Sequence, residues 1–91
     1  MTRIIICYDV DGDHQAEMKN SLLEKGYVDK LAGVNKVNCN LPETVLSKLG
    51  VRASTGLEDV IMSAAKVGAK LGRAVSFEVN NWEAIKGIPH K

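Results

Sequence analysis

The chain has 91 residues and a mass of 9.9 kDa, which is enough for one domain with one hydrophobic core. Twelve Lys and Arg residues against eleven Asp and Glu residues leave a formal net charge of +1, which excludes nucleic-acid binding driven by net charge alone. No apolar run approaches the roughly 18 residues that a transmembrane helix needs, so we expect residues 1–91 to form a single cytoplasmic domain with no membrane partner.

The first predicted element is a strand. Arg3–Val10 is a short run rich in apolar β-branched residues, and it stops at an Asp-Gly turn. A helix is predicted to follow over residues 15–25, with Asp13 as its N-terminal cap and Gly26 closing its C-terminal end.

Two strands are predicted in the middle of the chain, after a connector at residues 27–33. Apolar residues alternate with asparagines over 37–41, which is typical of a half-buried strand. Pro42 ends that run because proline cannot donate a main-chain hydrogen bond to a neighbouring strand. Residues 44–49 are the third predicted strand.

A second helix and a last strand complete the predicted elements. Thr55 is followed three residues later by Glu58, a capping-box spacing that predicts a helix start. Apolar residues at helical spacing continue to Gly72, where the helix is expected to end. Residues 74–79 alternate between apolar and small or charged side chains, which predicts the final strand.

The predicted order is strand, helix, strand, strand, helix, strand. This order predicts an α+β, ferredoxin-like βαββαβ domain: a four-stranded antiparallel sheet with both helices on one face. Both cysteines fall in strands, where reduced thiols behave as small hydrophobes. The residues predicted to form the core are Met18, Leu22, Val37, Cys39, Leu57, Ile61, Val75 and Phe77.

Three carboxylates cluster where the first strand ends. Oxygen ligands in one loop suit Mg²⁺ or Mn²⁺, so Asp9 and Asp11 are candidate metal ligands and Asp9 is the candidate catalytic residue. The alternative is turn and cap chemistry for Asp11 and Asp13. A calcium-binding EF-hand is excluded, because His14 and Asn20 stand where its loop needs Gly and Glu.

Other polar and aromatic residues have two interpretations each. His14 is either a ligand or proton shuttle beside the carboxylates, or a solvated residue in the first helical turn. The residues that either complement the second helix dipole or form a local phosphate patch are Arg3, Lys36, Lys48, Arg52, Lys66, Lys70 and Arg73. Trp82 and Ile85 are predicted to anchor the C-terminal segment on the sheet or on a partner subunit.

The N-terminal third resembles a known family. The sequence Ile4-Ile5-Ile6-Cys7-Tyr8-Asp9-Val10, followed by a polar turn, a helix and Gly26-Tyr27, is similar to the opening of the small CRISPR-associated adaptation nuclease superfamily, which includes the VapD toxins. The resemblance covers about the first thirty residues. It implies a ferredoxin-like homodimer in which one Asp of each subunit helps to hold a metal, and Asp9 occupies the matching position.

Three functional hypotheses follow. The first is a small dimeric protein associated with DNA or RNA, either a metal-dependent nuclease that uses Asp9 or a degenerate relative of one. The second is a non-catalytic protein-interaction module, such as a regulator or inhibitor encoded by a mobile element. A small-molecule sensor is a third hypothesis, but no motif predicts its pocket. A homodimer is expected because four short strands leave sheet edges and one face uncovered.

Overall fold

The computed structural model describes residues 2–32 and 38–80. In chain order its elements are β1 (Arg3–Val10), a 3₁₀ turn (Gly12–His14), α1 (Gln15–Glu24), β2 (Lys30–Ala32), β3 (Asn38–Asn40), β4 (Val45–Leu49), α2 (Ala53–Val67) and β5 (Leu71–Val79). The α+β class is confirmed, and β1 has the predicted bounds. Neither α1 nor α2 has the length and hydropathy needed to cross a membrane.

The main sheet has three antiparallel strands in the order β4-β1-β5. The central strand, β1, carries the continuous apolar run, as expected for a strand with neighbours on both sides. In its register Ile5 lies opposite Ser47 of β4 and opposite Phe77 of β5. The register shifts once, between Asp9 and Val10, where β1 leaves the sheet.

The prediction of a four-stranded sheet from these segments is not met by the described residues. The segment predicted as the second strand is present as β3, but it pairs with β2 in a separate two-stranded hairpin. Residues 27–33, predicted as a connector, supply that partner strand. The outer edge of β4 is instead contacted at one point, where Val28 and Ser47 exchange two main-chain hydrogen bonds of 2.7 and 3.0 Å.

Both helices pack on the same face of the main sheet, as predicted. Alternate residues of β1 point to this face, and they meet apolar residues from both helices in one cluster. Its buried members are Ile4, Ile6, Tyr8, Val10, Met18, Leu22, Tyr27, Leu46, Val60 and Ala64. The predicted core positions Met18 and Leu22 are therefore confirmed.

Four other predicted core residues are exposed, so that part of the prediction is wrong. Val75 and Phe77 are 55% and 43% exposed, and Leu57 and Ile61 are 37% and 58% exposed. The reason is that α2 approaches the sheet through small residues. A Cβ on Gly56 would lie 2.4 Å from the Ser76 hydroxyl oxygen and under 3.0 Å from two buried isoleucines of β1.

Small residues of β5, such as Ser76, therefore turn toward α2, and the larger Val75 and Phe77 turn away from it. The remaining two predicted core residues are not tested. Val37 lies outside the described residues, and the structure gives no placement for the side chain of Cys39.

The helix ends differ from the predicted ones in three places. Asp13 does not cap α1, since the residue preceding that helix is His14 and no side-chain cap bond forms there. Thr55 lies inside α2. The first amide of that helix, Ala53 N–H, instead donates a hydrogen bond to the Glu78 carboxylate at 3.2 Å. The second helix ends at Gly68, which has a φ of 75° that favours glycine, and Gly72 belongs to β5.

Candidate functional site

The candidate site lies at one end of the main sheet, where β1 stops and β5 begins. Asp9 and Arg73 face each other across the two strands, with a guanidinium nitrogen 3.5 Å from the carboxylate. The two side chains are 60% and 89% exposed, so solvent screens the pair and it contributes only about 0–1 kcal/mol. The Asp9 carboxylate is therefore accessible and weakly held.

Asp11 is bound in a separate local arrangement. One carboxylate oxygen accepts the Lys70 amide hydrogen at 2.7 Å, and the other contacts Nδ1 of His14. The hydrogen bond from His14 lowers the pKa of Asp11, and the Lys70 amide adds to that effect. The same contact with Asp11 raises the pKa of His14 above its usual value. Asp11 thus connects the turn after β1 to the residue that precedes β5.

The two candidate metal ligands do not share a contact. Asp9 lies on the sheet face away from the helices, whereas Asp11 follows the register shift and is bound to His14 and Lys70. Within residues 2–32 and 38–80, no three His, Cys, Asp or Glu side chains are grouped in a way that would hold a metal ion. A metal site at Asp9 and Asp11 remains a prediction, and such a site would leave most ligand positions to water.

A shallow cavity of about 190 Å³ opens beside Asp9 on the same sheet face. Its lining residues are Cys7, Tyr8, Asp9, Arg73, Ala74 and Val75. Burial raises the pKa of the Cys7 thiol, so this cysteine stays protonated and is a poor nucleophile near neutral pH. The cavity offers one carboxylate and one guanidinium above an apolar floor.

Several of the cations that were candidates for a phosphate patch have local partners among the described residues. Lys66 lies 3.5 Å from Glu24 of α1, and Arg73 lies beside Asp9. Lys48 donates to the Lys25 carbonyl oxygen at 2.6 Å. Lys36 lies outside the described residues, so a patch that includes it remains a prediction.

Sequence reasoning missed one surface feature, the apolar side chains on the sheet face opposite the helices. We define the open face as the side chains of Ile5, Cys7, Val75 and Phe77, which neighbour one another across β1 and β5. Val75 and Phe77 are exposed, Cys7 is half-buried, and Ile5 is buried. The signal was present in the sequence, because Gly56 in α2 and Ser76 in β5 are small residues on facing elements. Close packing between them directs the larger apolar side chains of β5 outward.

Trp82 and Ile85 lie outside the described residues, so their predicted roles are not tested. Comparison with known proteins gives no further guide. No family model, curated protein or solved structure matches the chain.

Proposed function

We propose that this chain is a small protein-interaction module that acts as a homodimer and binds through its open face. The observation that carries the proposal is the exposure of Val75 and Phe77 on β5, next to Ile5 and Cys7. Single exposed hydrophobic residues are ordinary, but contiguous ones on a sheet face are typical of interaction sites. The near-neutral net charge also suits a protein partner better than a nucleic-acid backbone.

The ferredoxin-like arrangement is the finer fold that we propose. Its sheet has the chain order last, first, third, second, and β5-β1-β4 reproduces three of those positions in antiparallel pairing. The two hydrogen bonds between Val28 and Ser47 stand where the remaining edge strand would pair. On this proposal, the β2–β3 hairpin is an extension between the second and third strand positions.

Self-association provides the test of the module. Sedimentation velocity of the full chain over a range of concentrations should show a reversible dimer. Phe77→Ser should weaken it, because serine removes an exposed apolar contact without adding a charge. The matched control is Met62→Ser, since Met62 is 59% exposed on α2 and does not belong to the open face. A chain that stays monomeric, or a dimer that both variants weaken equally, contradicts the proposal.

A metal-dependent nuclease acting on DNA or RNA is the second candidate, and one observation favours it. Asp9 is exposed at the end of the open face, so a homodimer formed through that face could bring two such carboxylates toward one Mg²⁺ or Mn²⁺ ion. The resemblance of the N-terminal third to the CRISPR-associated and VapD-like proteins implies the same residue. A cytoplasmic location of this chain remains a prediction, as does the mobile-element origin that was proposed with the interaction module.

Cleavage and mobility-shift assays with and without Mg²⁺ separate the two candidates. The interaction module predicts neither cleavage nor a shift. The nuclease predicts metal-dependent cleavage that Asp9→Ala abolishes without changing the melting temperature, since the side chain is exposed. Asp13→Ala is the matched control, because Asp13 is an exposed carboxylate that caps no helix. Cleavage that survives Asp9→Ala would exclude Asp9 as the catalytic residue.

A further inference from the structure

The main-chain groups along the outer edge of β5 can be identified from the sheet register. The main-chain amide of Ser47 donates a hydrogen bond to the Val28 carbonyl oxygen, and the Ser47 carbonyl oxygen accepts one from the Val28 amide. Both groups of Ser47 therefore point away from β1. In an antiparallel pair, Ile5, opposite Ser47, must then direct its own groups toward β5, where it pairs with Phe77. The main-chain amide and carbonyl of Phe77 therefore point toward β1, and those of its neighbours Ser76 and Glu78 point away from the sheet.

The same alternation adds Ala74, and we define the β5 edge as the outward amide and carbonyl groups of Ala74, Ser76 and Glu78. Within the described residues, no main-chain hydrogen bond reaches these groups from outside the sheet, and β5 is the last strand on that side. The strand has nine residues, and residues 74–77 carry no charge. An unpaired edge of this length is a template for another strand.

The β5 edge is bordered by apolar side chains on both sides. Val75 and Phe77 lie on the open face. On the helix side, we define the α2 shoulder as Leu57 and Ile61, which are exposed and one helical turn apart.

Two contacts between α1 and α2 show on which flank of α2 the α2 shoulder lies. Ser63 of α2 bonds to Ser21 of α1 at 3.0 Å, and Lys66 contacts Glu24, so α1 lies on that flank of α2. At 100° per residue, the α2 shoulder lies on the other flank of the helix. Since α2 packs on β1 and β5, that flank overhangs the β5 edge.

We propose that the β5 edge pairs with the β5 edge of a second copy of this chain, antiparallel about a two-fold axis at Ser76. This inference rests on the proposed homodimer and specifies how its subunits meet. In this register Ala74 lies opposite Glu78 of the other copy, Ser76 opposite Ser76, and each facing pair exchanges two main-chain bonds. The two sheets of three strands become one sheet of six.

Self-complementarity is what selects a second copy as the occupant. The main-chain groups that point outward belong to every second residue of β5. An antiparallel pairing that hydrogen-bonds them therefore keeps the open faces of the two copies on the same side of the combined sheet. Both α2 shoulders then lie together on the other side. Val75 lies opposite Phe77 of the other copy, which is a favourable β-branched and aromatic pair. The Ser76 hydroxyl, buried without a hydrogen-bond partner among the described residues, lies near its own symmetry mate.

The area also fits a homodimer of moderate affinity. The exposed parts of Leu57, Ile61, Val75 and Phe77 amount to roughly 300 Å² per copy, judged from ordinary side-chain areas. With the strand edges themselves, the total is on the order of 1,000 Å², at the lower limit for a specific interface. We therefore expect a dimer that dissociates on dilution rather than a permanent one.

Two variants on the helix side distinguish this edge from the open face. Ile61→Lys should weaken the dimer at least tenfold in sedimentation experiments, because the α2 shoulder is buried only when edges pair. Met62→Lys, equally exposed on another side of α2, should leave it unchanged. If Phe77→Ser disrupts the dimer and Ile61→Lys does not, the proposed module stands and edge pairing is overturned.

The register has its own test in a Cys7→Ser, Cys39→Ser background. Arg73 should lie opposite Val79 of the other copy, so a mixture of Arg73→Cys and Val79→Cys chains should form a disulfide-linked dimer. Neither variant alone should form this disulfide, because in this register the two copies of residue 73 are too far apart to be bridged, and so are the two copies of residue 79. Equal cross-linking in all three samples would overturn the register.

Hydrogen exchange on the full chain completes the test. The amides of Ala74, Ser76 and Glu78 should become protected as the chain concentration rises. Protection of these amides in a monomer would show that another part of the same chain covers the β5 edge, which would overturn the proposal. Exchange that is fast at every concentration would also overturn it.

Discussion

Replacing Gly56 by Ala tests the close packing of α2 on the sheet. The new methyl carbon would lie 2.4 Å from Ser76 Oγ, 2.7 Å from Ile4 Cδ1 and 2.9 Å from Ile6 Cγ2. Both isoleucines are fully buried, so they cannot move aside without disturbing the core. Overpacking of this kind costs about 1–3 kcal/mol. Alanine recovers about 1 kcal/mol of helix propensity. The net expectation is a loss of about 1 kcal/mol.

Urea and thermal unfolding measure that loss. For a domain of this size, about 1 kcal/mol lowers the melting temperature by roughly 4–8 °C. Gly12→Ala is the control, because a Cβ at Gly12 would meet nothing within 4 Å. The pair Gly56→Ala and Ser76→Ala should be less destabilising than the sum of the single changes, since the second removes the nearest clashing atom. A Gly56→Ala variant more stable than the parent would refute the close-packing argument.

Three further predictions concern hydroxyl and charged groups. Tyr27→Phe should cost about 1–2 kcal/mol in urea unfolding, because it removes the 2.8 Å hydrogen bond to Asp59; an unchanged midpoint would contradict this. Burial raises the pKa of Tyr8 to about 12, so ultraviolet titration should show its phenolate forming well above the usual pKa of 10. The free energy of unfolding should fall between those two pH values, because the unfolded chain loses this proton first. A titration midpoint near 10 would argue against burial of Tyr8. Asp11→Asn should lower stability most between about pH 4 and 6.5. Because the pKa of Asp11 is lowered, the stability that its contact with His14 contributes is lost as the pH falls and Asp11 becomes protonated. Because the pKa of His14 is raised, the same stability is lost as the pH rises through that raised pKa. A difference in stability between Asp11→Asn and the parent that did not change with pH would exclude the contact.

Much of the fold could be predicted because two signals were unambiguous. The apolar run of β1 ends at an Asp-Gly turn, and its bounds in the structure are those predicted. The positive φ of Gly26, 96°, agrees with its predicted place after α1. Long-range pairing was less accessible, since the three-residue strand β2 carries too few positions for a pattern.

The direction in which an alternating strand faces could not be predicted from its alternation. Residues 74–79 divide into a set of larger apolar residues and a set with Ala74 and Ser76, and hydrophobicity alone places the larger set inside. The structure reverses this because Gly56 leaves room only for small side chains between α2 and β5. Helical spacing likewise allowed two apolar flanks on α2, and the buried one is the flank with the smaller residues.

The chemistry at the end of β1 was only partly predictable for a similar reason. Spacing in an extended segment sends Asp9 and Asp11 to the same side, but the register shift after Asp9 ends that geometry before Asp11 is reached. His14 and Lys70, which bind Asp11, are three and 59 residues away in the chain. The second of these contacts depends on the tertiary fold, so no local pattern could indicate it.

The small residues between α2 and β5 have a consequence for association. Because Gly56 and Ser76 fill the interface between helix and strand, Leu57, Ile61, Val75 and Phe77 remain partly exposed around the β5 edge. Burying the exposed part of each of these side chains would contribute roughly 1 kcal/mol. A 91-residue chain has limited core to spare, so leaving these residues exposed costs stability in the monomer. Pairing of two copies at the β5 edge would recover that energy and also satisfy the outward main-chain groups.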